Sequence, residues 1–240
     1  MAKTREHAVI VGGSSGIGLA AARRLLDDGL KVTVAGRSEG RLGSAREALS
    51  SRADALALDA TDPEQTRRFF QAVGPFDHLV LALSGGGGFG PFASLDLEDV
   101  RRAFAQKTLA QLSCAQAALP TLRKDGSITF ISAVSAQMAA PGTAGLAAVN
   151  GALVAATPVL AAELRPLRVN AVTPGVVDTP WWDFMDAGPR SDAFASFAAR
   201  TPVGRVGRSE DIADAIAFLI SNGFVTGHVL TCDGGLRLTA

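Results

Sequence analysis

The chain has no tyrosine among its 240 residues, so no phenol is available to it as an acid or base. Cysteine is nearly absent as well. Cys114 and Cys232 lack metal-ligand spacing, and each reads as a buried free thiol. No His/Cys/Asp cluster is spaced for a metal, so none is expected. Net charge is missing too: 23 basic residues balance 23 acidic ones, and no run of like charge occurs. That argues against a nucleic-acid surface and against an anionic membrane surface. The first apolar run, residues 8–11, is too short for a signal segment or a membrane span. A reduced, cytoplasmic protein is the expectation. What is abundant is apolar: 48% hydrophobic against 19% charged, the composition of a chain that buries a core.

That apolar content is organised. Short apolar runs at 8–11, 32–35, 55–58, 78–83, 127–131, 168–172 and 228–231 read as strands. Helical spacing fills 17–26, 42–49, 97–119, 145–164 and 209–220, and Asp62-Pro63 marks a further helix start, an N-cap followed by proline. Continuously apolar strands alternating with helices predict a parallel sheet covered on both faces. The expected fold is α/β: a single Rossmann-type domain over 1–240, doubly wound, with seven parallel strands ordered 3-2-1-4-5-6-7. Ligands of such sheets bind at the carboxyl ends of the strands. His7, His78 and His228 stand at strand starts, the opposite end, and are discounted as catalysts. Two segments break the rhythm. One is the glycine-rich stretch 84–90, read as mobile. The other is 180–201, rich in Trp, Phe and Ala.

The first strand runs directly into Gly12-Gly13-Ser14-Ser15-Gly16-Ile17-Gly18 and then a helix. Glycines allow backbone N–H groups close to a pyrophosphate, and a helix N-terminus favours its charge. At the end of the second strand, an acid would accept the ribose 2′-hydroxyl of NAD; this chain has Gly36 and then Arg37-Ser38. A guanidinium suits a 2′-phosphate, and the Ser38 hydroxyl could add to it, so the expected cofactor is NADP(H).

The spacing of that glycine turn resembles the short-chain dehydrogenase/reductase family, and the resemblance runs the length of the chain. Asp59-Ala60 resembles the family's adenine-contacting pair, residues 168–175 its sixth-strand signature, and Asp233-Gly234-Gly235 its C-terminal turn. The resemblance implies cofactor contacts at Gly12, Ser14, Ser15, Gly16, Ile17, Gly18, Arg37, Ser38, Asp59, Ala60, Ser84, Gly85, Asn150, Pro174, Gly175, Val177 and Thr179. It also implies a Ser, a Tyr, a Lys and an Asn around the nicotinamide, and here the chain departs. With Asn150-Gly151-Ala152-Leu153 set on the family's Lys-Ala-Ala-Leu, Leu146 falls at the Tyr, Ala133 at the Ser and Lys107 at the Asn. The amine and the amide look exchanged. Lys107 is the candidate acid, base or anion binder, and Asn150 the candidate ribose contact. The alternative for Lys107 is a solvated or salt-bridged helix lysine. Ser132, Ser135, Thr143 and Ser84 are weaker candidates.

Residues 180–201 correspond to the substrate lid of family members. Trp181 and Trp182, with Phe184, Met185, Phe194 and Phe197, suit a small apolar or aromatic substrate, or serve only to pack the lid onto the core. The helix at 145–164 is apolar on nearly every side and must be covered, which with the family's habit points to a homodimer or homotetramer. Two functions follow: an atypical NADP(H)-dependent oxidoreductase acting on a carbonyl or alcohol, or an NADP(H)-binding pseudoenzyme, sensor, cyclase or isomerase on the same scaffold.

Overall fold

The computed structural model describes residues 5–239. In chain order the strands are β1 (His7–Val11), β2 (Lys31–Gly36), β3 (Asp54–Ala57), β4 (Phe76–Leu81), β5 (Leu122–Ile131), β6 (Arg168–Pro174), β7 (Val177–Asp178), β8 (Gly207–Arg208) and β9 (Val229–Cys232). Seven of them form one parallel sheet ordered β3-β2-β1-β4-β5-β6-β9. This is the expected order, with β9 as its seventh strand. The short parallel pair β7–β8, on either side of α7 in the chain, was not expected.

Eight α-helices flank the sheet among the described residues: α1 (Gly16–Asp27), α2 (Glu39–Ala48), α3 (Pro63–Val73), α4 (Leu97–Ala103), α5 (Ala110–Ala118), α6 (Ala144–Glu163), α7 (Ala187–Arg200) and α8 (Ser209–Ser221). Each face of the sheet has its own core. On one, Ile10, Val32 and Val34 pack under α1 and α8 through Leu25, Ile212 and Ile216. On the other, Val9, Leu79 and Ile128 pack under α3, α5 and α6 through Phe70, Cys114 and Leu153. Alternate residues of one strand thus serve opposite cores, as the pleat requires.

Local chemistry fixes the ends of these elements. Asp62 accepts the Glu64 and Gln65 N–H groups, capping α3 ahead of Pro63 as expected. At the carboxyl end of α8 the Arg168 guanidinium donates to the carbonyls of Leu219, Ile220, Asn222 and Val225, tying that helix to β6. The histidines sit where the sequence put them, at the amino edge of the sheet. His7 Nε2 meets Thr33 Oγ1 at 2.9 Å, and His78 Nδ1 meets Ser127 Oγ at 2.9 Å.

Three expectations need correction. The helix expected over 97–119 is broken between α4 and α5 by a π-helical turn, Phe104–Leu109. The 180–201 segment is largely regular, with a 3₁₀ turn at Pro180–Trp182 leading to α7. Cys232 is only half-buried, whereas Cys114 is enclosed and its thiol is pushed up to about 12 by burial. Helix α6 is long and apolar enough to cross a membrane by length and composition alone. Its Val149, Leu153, Thr157 and Ala161 form a stripe buried against the sheet, the pattern of a core helix. Pro158 lies inside α6 and does not end it.

Candidate active site

The first βα turn has almost no room. The N–H groups of Gly12 and Gly13 both donate to the Ala35 carbonyl, at 2.8 and 3.1 Å. Gly12 has φ +83°, and a Cβ there would lie 2.5 Å from the Ala82 carbonyl oxygen. A Cβ on Gly18 would run into the Gly12 carbonyl oxygen. Only glycines let α1 begin this close to the strand. Helix α1 opens at Ser15 with no side-chain cap and no acid in its first turn, which leaves its leading end to an anion. Gly16 lies against Thr179, so the turn after β6 reaches the glycine turn.

Arg37 and Ser38 follow β2 at the same end of the sheet, both exposed. Ser38 also caps α2, its hydroxyl accepting the Arg41 N–H at 3.3 Å. Asp59 accepts the N–H and hydroxyl of Thr61, and these bonds, helped by the nearby Arg37, hold its carboxyl below the usual range. Ala60 is buried next to it. Arg37 and Asp59 thus stand near each other at this edge of the sheet.

Lys107 stands on the π turn, beside Gly85 after β4 and Ser132 after β5. It is 9% exposed, and its Nζ donates to the Ser132 carbonyl at 3.1 Å. Burial alone lowers its pKa to about 8. Among the described residues it has no ion pair, which removes the reading of a solvated or salt-bridged helix lysine. A π turn places side chains differently from the surrounding helix and is frequent at functional sites.

The neighbouring polar groups form a connected set. Ser132 Oγ donates to the Asn150 carbonyl at 2.9 Å. Asn150 Nδ2 donates to the Leu146 carbonyl at 2.9 Å and to Ser135 Oγ at 3.2 Å. Asn150 Oδ1 is buried without a partner. A buried acceptor without a protein partner costs free energy unless water or a ligand meets it. Leu146 and Ala133 are half-buried beside this set. Thr143 bonds locally to the Ala140 carbonyl, and Ser84 lies exposed after β4. Gln111 was not among the residues expected at the site. Fully buried four residues after Lys107, it donates to the carbonyls of Leu83 and Ile131 at 3.2 and 3.0 Å and so ties the ends of β4 and β5.

The glycine stretch after β4 was expected to be unrestrained, and the structure pins it. The Gly88 N–H donates to Asp99 Oδ2 at 2.7 Å, and the Gly90 N–H to the Gly142 carbonyl at 3.0 Å. The Gly85 carbonyl accepts from Trp181 Nε1 at 3.3 Å, and the Phe89 ring lies 5.7 Å from the Trp181 ring. The 180–201 segment therefore touches this loop directly. Trp181 stands edge-on to Trp182 and Phe184, at 4.9 and 5.4 Å, and Trp182 contacts Phe194 and Phe197. Trp182 Nε1 donates to the Val177 carbonyl at 3.1 Å. Arg190 straps α7 to Asp178, Asp183 and the Thr179 carbonyl. Pro174 and Val177 are buried, and the Gly175 N–H bonds the Cys232 carbonyl.

This layout can be set beside known proteins. A family profile described as enoyl-(acyl carrier protein) reductase matches residues 11–237. The short-chain dehydrogenase/reductase ATR9 of Stachybotrys chlorohalonatus is 34% identical over 256 residues, covering 97% of each chain. The chain belongs to the short-chain dehydrogenase/reductase family. As a member it is also 33% identical to the cis-4-hydroxycyclohexanecarboxylate dehydrogenase of Sinomonas cyclohexanicum, over 95% of each chain. A small-chain dehydrogenase solved in complex with NADPH superposes on this short-chain dehydrogenase/reductase with a TM-score of 0.85. That pair shares 30% identity over 98% of this chain and 99% of the other.

A buried amine with one carbonyl partner weakens a fold. Replacing it by an apolar side chain of similar length, Lys107→Met, is expected to stabilise the protein by about 0.5–2 kcal/mol, read by denaturant unfolding. A midpoint lower than that of the wild type would contradict the burial described here.

Proposed function

We propose that the protein is an NADP(H)-dependent oxidoreductase that interconverts a carbonyl and an alcohol on a small, apolar or aromatic substrate, with Lys107 as its proton-transfer group. The observation that supports this is a buried lysine with no charged partner at the carboxyl end of the sheet, under the loop that follows β4. Lys107 stands where family members carry Asn, and the chain has no tyrosine to do the work instead. The site is therefore read as atypical. The glycine turn and the α1 N-terminus would hold the pyrophosphate, Arg37 the 2′-phosphate, and Asp59-Ala60 the adenine. Bound NADPH would supply the hydride. Lys107 then gives its proton to the substrate oxygen and regains one from solvent. Trp181 and Phe184, whose rings meet at 5.4 Å, would offer apolar ring surface to such a substrate.

Asn150 has its N–H bonds committed to Leu146 and Ser135, and only its closed-off Oδ1 remains to meet a ribose hydroxyl. That observation favours the second reading, cofactor binding without turnover, to the extent that the ribose loses a contact. Titration with NADPH and a carbonyl and alcohol panel followed by nicotinamide absorbance separates the two.

Three outcomes are expected. Arg37→Ala should weaken NADPH binding by roughly 10- to 100-fold, the worth of about 1.5–3 kcal/mol for a charge-assisted bond, and leave NADH binding little changed. An unaltered NADPH dissociation constant would refute the 2′-phosphate assignment. For Lys107 the sign follows from its role. Reduction needs the ammonium, so its rate should hold below about pH 8 and fall above it, while oxidation should rise through the same pH. Lys107→Met should lose both the rate and the inflection. Finally, α6 carries no charged residue between Ala144 and Ala162, and its Val159 is 61% exposed, while Leu109 at the end of the π turn is 57% exposed. We take the outer face of α6 to join copies of the chain into a homodimer or homotetramer. Sedimentation at micromolar concentration checks it, and a monomer would count against it.

A further inference from the structure

We infer that Trp181 is a positioning residue for Lys107: by holding the Gly85 carbonyl it keeps the backbone laid over the lysine, and on letting go it opens the way to the ammonium. The inference rests on the reading of Lys107 as the proton-transfer group. Its physical content, however, is access to one amine, which can be measured without turnover.

Gly85 lies between the two side chains. On one side its Cβ position faces the π turn, 3.5 Å from Lys107 Cβ and 3.2 Å from the Ala103 carbonyl oxygen. On the other its carbonyl accepts the indole N–H at 3.3 Å. Lys107 is closed below by the Ser132 carbonyl, which it bonds, and nearby Gln111 ties Leu83 to Ile131. Above it the loop is thin. Ser84 and Gly86, on either side of Gly85, are both exposed. No charged neighbour perturbs Lys107, whose ionisation is set by burial alone. Whatever uncovers Gly85 therefore admits water, substrate or both.

Trp181 is placed to sense the cleft. It follows Thr179 and Pro180, and these two residues are the ones that lie against Gly16 of the glycine turn. The glycine turn and the indole are thus joined by two residues of chain. Trp181 Nε1 to Gly85 is the direct hydrogen bond between the lid and the loop after β4, supported by the Phe89 ring at 5.7 Å. The indole therefore makes two contacts that a phenyl ring cannot both supply: a ring for Phe89 and an N–H for Gly85.

The test uses acetylation of the intact, cofactor-free protein by a water-soluble N-hydroxysuccinimide ester, with rates at single lysines read by peptide mass mapping. Lys31 and Lys124 are exposed and serve as internal standards. In the wild type Lys107 should react at least ten-fold more slowly than either. Trp181→Phe and Trp181→Ala should speed Lys107 at least five-fold, while the Lys31 and Lys124 rates hold. Trp181→His restores a ring N–H and should slow Lys107 again relative to Trp181→Ala, a rescue that general loosening of the lid would not give. Equal Lys107 rates in the wild type, Trp181→Phe and Trp181→Ala would overturn the inference, as would a wild-type Lys107 as reactive as Lys31. Should Lys107→Met keep full activity, the proposed catalytic role fails, and the labelling rates still decide whether Trp181 covers the lysine.

Discussion

The absence of any space between Gly12 and Gly18 governs this molecule. Because no Cβ fits there, α1 can start in contact with the end of β1, and its leading turn faces the carboxyl edge of the sheet. Everything of chemical interest gathers at that edge. Arg37 leaves β2 beside it, the glycine loop leaves β4 next to it, and Thr179 comes back to touch Gly16. The doubly wound order β3-β2-β1-β4 opens a crevice where the winding reverses, between β1 and β4, and the turn lies at its mouth. A bulkier residue in the turn would push α1 off the sheet and dissolve the crevice with it.

Lys107 is in tension with that frame. Folding takes an amine out of water, gives it one carbonyl, and strands an amide oxygen on Asn150 close by in the same polar set. Both are costs that an apolar core would not carry. They sit in a scaffold whose strands are mostly apolar, whose α3 and α4 are capped by aspartates and whose turns are made by glycine. Local violations of that kind concentrate where chemistry is done. The π turn belongs with them, since it re-aims one side chain without moving the rest of the helix.

The sheet was legible because its strands are short apolar runs with clear punctuation, and Asp62-Pro63 marked α3 by chemistry alone. The early start of β5 was not, since Leu122–Gly126 carries Arg123, Lys124 and Asp125, which read as a loop. Neither was the π turn: one extra residue in a helical turn leaves the apolar spacing nearly unaltered. The glycine loop looked free because its restraints, Asp99, Gly142 and Trp181, lie elsewhere in the chain and reach it only in the fold. Arg37 and Lys107 could be found by position against a family pattern. Gln111 could not, as a glutamine in a buried helix gives no sign of which carbonyls it will meet.

The two tryptophans are neighbours in the lid, and no tyrosine exists anywhere in the chain. Near-ultraviolet light absorbed by this protein is therefore taken up mostly by the one segment that holds Trp181 and Trp182. Excited at the red edge, where phenylalanine does not absorb, its emission is a spectroscopic window on that segment alone. Reduced nicotinamide absorbs where indole emits, so a dinucleotide in the crevice would dim the lid by energy transfer as it arrived. The protein carries, without any added dye, an optical probe in the segment that meets the loop after β4.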